Sequence, residues 1–223
     1  MRFDAILFDL DGTLLDTIPD LANAANAMRE ELGLAPLPQA TLATYVGKGT
    51  PNLVQRTLAN NPAATVPDPA QLARGLESFG RHYHAVNGDA ATLYPGVLEG
   101  LAAFARAGVK MAVVTNKPTE FTLPLLERFD IASYFSGVVC GDTCEEKKPD
   151  PMPMLHACEL LDVSPSKALA IGDSVNDALA AKAAGITVLA VPYGYNEGMD
   201  VRTLEVDDIV TSIAQAAQWA ARQ

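Results

Sequence analysis

Two short stretches of the chain set paired carboxylates just past the end of an apolar run. In ILFDLDGTLLD (residues 6–16), Asp9 closes the run, Asp11 follows two residues later, and Gly12 turns the chain. Residues two apart at a strand end project to the same side, so Asp9 and Asp11 can face one small volume. Like charges about 4 Å apart repel by roughly 4 kcal/mol at an effective dielectric near 20, and something must offset that repulsion. AIGDSVND repeats the arrangement, with Asp173 at the tip of a second run and Asp177 four residues on, in the first turn of a helix. Four carboxylates converging on one edge require a cation, and oxygen-only ligands of this kind suit Mg2+. Each fragment alone has a plainer reading: Asp-Gly is a common turn, and Asp173, Ser174 and Asp177 can simply cap a helix.

Two further stretches add polar and basic groups. VVTNKP ends a third run with Thr115 and Asn116, a hydroxyl and an amide able to hydrogen-bond phosphate oxygens. EEKKPDP supplies Lys147 and Lys148, and Pro149 favours an extended backbone at Lys148, which fixes the direction of that side chain. A Lys-Lys pair is otherwise an ordinary solvated face.

These groups have to be positioned by the elements around them. The apolar runs 5–8, 109–114, 138–140, 168–171 and 186–191 read as buried parallel strands. Helical patterns lie between them, at 97–107, 119–129 and 178–184. The alternation predicts an α/β fold with a doubly wound parallel sheet, in which ligands bind beyond the carboxyl ends of the strands. From residue 16 to 90 the alternation stops. Leu21, Ala25, Met28 and Leu32 follow a helical period after Pro19 and end at Gly33, and Leu72, Leu76, Phe79, Tyr83 and Val86 repeat it. We expect a small α-helical cap over residues 16–90, inserted into a core formed by 1–15 and 91–223, placed to act as a lid. NNPAATVPDPAQ (60–71) reads as a loop inside it.

Within the insertion, YVGKGTPNLVQR suggests Thr50 as an N-cap and Pro51 as the first helical residue, with Leu53, Val54, Thr57 and Leu58 behind them. Glycines 47 and 49 let the backbone pass close to a ligand, and Lys48 or Arg56 can pair with a substrate carboxylate. A flexible interhelical loop with a solvated lysine is the plainer alternative. His82 and His84 read as polar positions flanking the stripe, and Trp219 as packing.

Composition narrows the function classes. A formal charge of −11 leaves no excess of Lys or Arg to displace counterions from a nucleic acid, so none is expected as a partner. No apolar stretch reaches membrane-helix length and no signal-like segment opens the chain, so the expectation is a cytoplasmic protein without membrane contact. Three cysteines without paired spacing fit free thiols in a reducing compartment.

The four motifs in this order, Asp-x-Asp-Gly-Thr, Thr-Asn, Lys-Pro and Gly-Asp-x-x-x-Asp, resemble the haloacid dehalogenase superfamily from Phe3 to about Tyr195. The second aspartate marks its phosphotransferase branch, and the insertion after DLDGTLLDT its helical-cap subfamily. The resemblance implies that Asp9 attacks phosphorus to form an aspartyl phosphate, while Asp11 serves as acid and then base. Asp9, the Asp11 carbonyl and Asp173 would hold Mg2+, with Asp177 orienting its shell. Thr115, Asn116 and Gly12 would meet the phosphoryl group, and Lys148 would neutralise its charge. The YVGKGTPNLVQR loop, LYPGV (93–97) and VPYGYNEG (191–198) resemble the phosphoglycolate phosphatases within the superfamily, with Tyr94 and Pro95 as the cap hinge. The implied partner is a small phosphorylated metabolite, foremost 2-phosphoglycolate, and the implied assembly a monomer or small homo-oligomer. A phosphatase of a sugar phosphate or pyrophosphate, a sugar phosphomutase, and a phosphoryl-accepting receiver domain are the rival readings.

Overall fold

Strand β1 (Ala5–Phe8) is buried at all four positions, as a strand covered on both faces must be. In the computed structural model, which describes residues 2–63 and 68–223, it lies in the middle of the sheet. The chain continues through β2 (Leu15–Asp16) into four helices, α1 (Ile18–Glu31), α2 (Gln39–Ala43), α3 (Thr50–Ala59) and α4 (Pro69–Val86), and returns through β3 (Thr92–Leu93). Helix and strand then alternate: α5 (Val97–Arg106), β4 (Lys110–Val114), α6 (Thr119–Arg128), β5 (Gly137–Val139), α7 (Met152–Leu160), β6 (Ala168–Gly172), α8 (Val175–Ala183) and β7 (Thr187–Ala190). A short β8 (Asp208–Ile209) and α9 (Ile213–Ala221) complete the chain.

The main sheet runs β5-β4-β1-β6-β7-β8, with every neighbouring pair parallel. Phe8 is in register with Val113 of β4 and Ile171 of β6. Sequence order leaves β1 toward β4 and β5, then resumes on the other side with β6, so the winding reverses at β1. The crevice at such a reversal is where open α/β sheets bind ligands. Asp9, the residue after β1, stands at that point.

Alternation along β1 sends Ile6 and Phe8 to one face and Ala5 and Leu7 to the other. The first face packs with Leu101 and Phe104 of α5, Leu125 of α6 and Ile213 of α9. Phe8 meets Phe104 edge-on at 5.9 Å, and truncating either ring to Ala would cost about 3–5 kcal/mol. The second face carries more small residues, with Ala157, Ala180 and Ala181 of α7 and α8 clustered with Ala5 and Ala112.

The helices between β2 and β3 pack a further apolar cluster, in which Ile18, Leu21 and Met28 of α1 meet Val54 of α3, Phe79 and Tyr83 of α4, and Phe121 of α6. The expected stripes are present, with Leu32, Leu72, Leu76 and Val86 only partly buried at their margins. Pro19 lies in the first turn of α1. For α3 the expected boundary shifts by one residue: Gly49, at φ 81°, is the N-cap, and Thr50 is already helical. Of the NNPAATVPDPAQ segment, residues 64–67 lie outside the described residues, and its last residues belong to α4.

Two antiparallel segments join insertion and sheet, Leu15 pairing with Leu93 and Asp16 with Thr92. This ribbon, α2, α7, β8 and α9 had no counterpart in the sequence reading. A two-residue strand has no period to detect, and α7 has buried Met154 and Cys158 beside exposed Leu155 and Leu160.

Candidate active site

Asp9 continues the β1–β6 ladder by donating its N–H to the Ile171 carbonyl at 2.9 Å, which fixes where its carboxylate points. Lys148 reaches it from the loop after β5. The Lys148 ammonium, 4% exposed, donates to Asp9 Oδ1 at 2.9 Å, Asp177 Oδ1 at 2.6 Å and the Val114 carbonyl at 2.6 Å. Burial works against this charge, but Asp177 and Asp9 outweigh it and hold the lysine pKa above its ordinary value. The Lys148–Pro149 peptide is cis. No described residue donates to the second oxygen of Asp9.

Asp173 follows β6 and Asp177 sits in the first turn of α8. Asp173 Oδ1 accepts from the Thr13 hydroxyl at 3.0 Å, and Oδ2 from the Tyr195 and Asn196 N–H groups at 2.7 and 3.4 Å. Asp177 Oδ2 accepts from both the N–H and the hydroxyl of Ser174, at 3.1 and 2.7 Å, so it caps α8 and joins the acidic cluster at once. The helix-cap reading and the cluster reading are both true of this residue.

The expected convergence of four carboxylates resolves into three. Oxygens of Asp9, Asp173 and Asp177 lie within 4.8 Å of one another. The Asp11 carboxylate turns instead to the Lys117 ammonium, at 2.9 and 3.1 Å, and to the Thr17 hydroxyl at 2.5 Å. The next residue, Gly12, takes φ 86°, and a Cβ there would stand 2.6 Å from Asp173 Oδ2, so only glycine lets the chain pass this close to the cluster. Asp9 and Asp11 share a cavity without sharing a partner.

The cluster fits a hard divalent cation. Its donors are all oxygen, which suits Mg2+. Burial, with Asp177 and Asp173 adding to it against Lys148, pushes the Asp9 pKa well up. Burial and Asp177 push Asp173 up to about 7. A cation among these groups would favour their charged forms and remove that strain.

Thr115, after β4, is 4% exposed and lines the cavity, its hydroxyl oxygen accepting the Lys117 N–H at 3.2 Å. Asn116 departs from its expected use. Its amide oxygen accepts the Lys148 N–H at 3.0 Å, and its nitrogen donates to the Lys148 and Gly47 carbonyls at 2.8 and 2.9 Å. That side chain brackets the Lys148 loop and the inserted helices, which leaves its amide engaged rather than open to a phosphate oxygen. Lys147 remains half-buried.

Lys48 and Arg56 are not brought to the cavity. Arg56 donates to the Tyr45 carbonyl at 3.2 Å and to Glu197 Oε2 at 2.9 Å, and Lys48 lies 3.4 Å from Glu197 Oε1. The carboxylate these cations meet is the protein's own. Of the same loop, Gly47, Gly49 and Thr50 do reach the cavity wall, beside Leu21, Leu53 and Tyr83.

Sequence reasoning missed Lys117. It lies in the quoted TNKP, directly before Pro118, in the same relation that drew attention to Lys148 before Pro149. It also missed Tyr195, whose hydroxyl accepts the Thr17 and Ile18 N–H groups at 2.8 and 3.1 Å, capping α1 from the sheet side. Asp20 binds the returning chain at the Gly88, Ala90 and Ala91 N–H groups, at 2.9, 2.8 and 3.0 Å. Tyr94, expected at the hinge, donates its N–H to the Leu14 carbonyl and packs on Tyr193 at 4.3 Å. His82 and His84 meet Glu31 and Glu120 on the surface, and Trp219 stacks on Phe3 while donating to Asp208.

A lysine bridging the strand-end aspartate to a second acidic pair, at the winding reversal of a parallel sheet, coincides with a family match. The model for haloacid dehalogenase-like hydrolases covers residues 6–191. The chain is a haloacid dehalogenase-like hydrolase. It is 50% identical to a phosphoglycolate phosphatase of Nitrosospira multiformis over 214 residues, 96% of this chain and 94% of that one. It is 48% identical to one from Thiobacillus denitrificans, across 96% and 93% of the two chains. A crystal structure described as that of a predicted phosphoglycolate phosphatase from Haemophilus somnus superposes on this hydrolase with a TM-score of 0.92 at 33% identity, covering 99% of both. No helix of the described residues is long and apolar enough to cross a membrane.

Proposed function

We propose that this hydrolase is a Mg2+-dependent phosphomonoesterase that cleaves 2-phosphoglycolate to glycolate and phosphate through an aspartyl phosphate. The observation that carries the reading is Asp9: one oxygen held by Lys148, the other unengaged, with Asp173 and Asp177 beside it. In that arrangement the unengaged oxygen attacks phosphorus, forming the Asp9–phosphorus bond as the ester bond breaks. Asp11, oriented by Lys117 and Thr17, enters this step protonated and gives that proton to the departing glycolate oxygen. It then takes a proton from the water that attacks the aspartyl phosphate, and phosphate leaves. Lys148 neutralises charge on Asp9 and the phosphoryl oxygens, and Thr115 contributes its hydroxyl. Splitting the displacement in two replaces one difficult step by two easier ones.

Asp9 and Asp173, with the Asp11 carbonyl, would hold the metal, and Asp177 would orient that shell. Mg2+ bound there supplies positive charge to the transferring phosphoryl group. The proposal includes residues 16–90 as a cap over a core of 1–15 and 91–223, with the β2–β3 ribbon as the joint. It also places the protein in the cytoplasm, in keeping with three free cysteines, of which Cys158 is pushed up to about 11 by burial.

The test is phosphate release from 2-phosphoglycolate, sugar phosphates and pyrophosphate, each with Mg2+ and with chelator. Release that is fastest from 2-phosphoglycolate and absent in chelator is expected. Exchange of phosphate between hydroxyls of one sugar, with little free phosphate, would instead indicate a mutase.

A further inference from the structure

Tyr83, on α4, presents a polar group that the reaction just described leaves unused. The residue is 1% exposed, and its hydroxyl has no hydrogen-bond partner among the described residues, yet it lines the cavity with Asp11 and Lys117. Buried hydroxyls without partners are rare in folded proteins and call for an explanation. The ring has little freedom to find one: it stacks on Phe79 at 5.4 Å and tilts onto Phe121 at 4.7 Å. Lys117 Nζ lies 4.9 Å from the ring centroid, close enough to act on the hydroxyl but outside hydrogen-bond geometry. Burial pushes the hydroxyl up to about 12 against the pull of Lys117, so it remains a donor throughout the neutral range.

Lys117, packed against the Tyr83 ring, makes side-chain hydrogen bonds of ordinary geometry only to Asp11 among the described residues. An ammonium has three N–H groups, and the two Asp11 oxygens, at 2.9 and 3.1 Å, account for two. Asp11, Lys117 and Tyr83 therefore stand in succession along the cavity wall. In 2-phosphoglycolate a single methylene separates the ester oxygen from the carboxylate. A group beside Asp11, which must face the ester oxygen, is thus beside the carboxylate as well.

Resting on the phosphoglycolate reading, we propose that the substrate carboxylate is received by the Tyr83 hydroxyl and the remaining N–H of Lys117, making Tyr83 a specificity-determining residue. Lys48 and Arg56 are occupied by Glu197 and stand outside this cavity. The inserted helices would then select the short acid through a neutral donor on a rigid aromatic stack, and the cation would come from the sheet side. A bound carboxylate would also complete the bond that the Tyr83 hydroxyl lacks.

The experiment compares kcat/KM for 2-phosphoglycolate and ethyl phosphate, which has the same two-carbon frame without the carboxylate, in wild type, Tyr83→Phe and Lys48→Ala. Tyr83→Phe keeps the ring, and its turnover of ethyl phosphate reports on folding. The expected result is a loss of roughly 10–100-fold on 2-phosphoglycolate, the range for one hydrogen bond to a charged group, with ethyl phosphate changed by less than about 3-fold. A wild-type preference for 2-phosphoglycolate that survives Tyr83→Phe overturns the inference and leaves the substrate reading standing. A preference erased by Lys48→Ala but not by Tyr83→Phe also overturns it, in favour of the loop. Wild-type protein with no preference overturns the substrate reading, and the inference with it.

Discussion

Replacing Lys148 by Met removes one charge and keeps nearly the same length of side chain. In the folded protein that ammonium is 4% exposed and touches Asp177 Oδ1 at 2.6 Å, Asp9 Oδ1 at 2.9 Å and the Val114 carbonyl at 2.6 Å. Losing one partner of a buried ion pair typically costs about 3–5 kcal/mol, because the other charge stays buried without compensation. Here Asp9, Asp173 and Asp177 would face one another without the ammonium that pairs with two of them. For a chain of this size each 1 kcal/mol moves Tm by about 2–4 °C, so Lys148→Met is expected to lower Tm by roughly 6–20 °C in chelator. Millimolar Mg2+ would restore part of the missing positive charge, and the gap between variant and wild type should narrow. Turnover should nevertheless fall by about 100- to 1,000-fold, the usual result of deleting one preorganised group that stabilises developing charge. Thermal melts with and without Mg2+, alongside phosphate release, measure both. A Tm loss below about 3 °C in chelator, or one that Mg2+ leaves unchanged, would refute the view that Lys148 compensates this cluster.

Mg2+ at about 100 times its Kd should raise wild-type Tm by roughly 5–10 °C through preferential binding to the folded state, and Asp173→Asn should abolish that rise; an unaltered rise would place the ion elsewhere. Asp9→Asn should fold normally and release no phosphate, and substantial residual activity would point to direct attack by water. Asp20→Ala orphans the buried N–H groups of Gly88 and Ala91 together with that of Ala90, and should cost about 3–5 kcal/mol by thermal or denaturant melts. A change under about 1 kcal/mol would mean that the returning chain is held by other contacts.

Much of the core was legible because buried parallel strands leave a strong trace. The run at residues 5–8 matches β1 as formed, and the runs at 109–114, 138–140, 168–171 and 186–191 overlap β4 to β7 within a residue or so. The helical stripes of α1 and α4 were visible for the same reason, since the 3.6-residue period survives even where Leu72 and Leu76 end up only partly covered. The ribbon of β2 and β3 escaped notice because two residues carry no period. β8 was equally short, and it is held by pairing with Leu189 and Ala190 of β7 rather than by its own pattern.

From the amino-acid sequence alone come the sheet, the helical insertion and the set of chemical groups gathered at the strand ends, because apolar periodicity and turn chemistry are local properties. Which charged groups answer one another was decided only by the tertiary structure. Asp11 turned to Lys117 across 106 positions, and Arg56 turned to Glu197 across 141. The Asn116 amide closed on Lys148 and Gly47. Electrostatic pairing depends on distance and direction in three dimensions, and a string of residue types specifies neither until the apolar core has brought the ends of separate strands together.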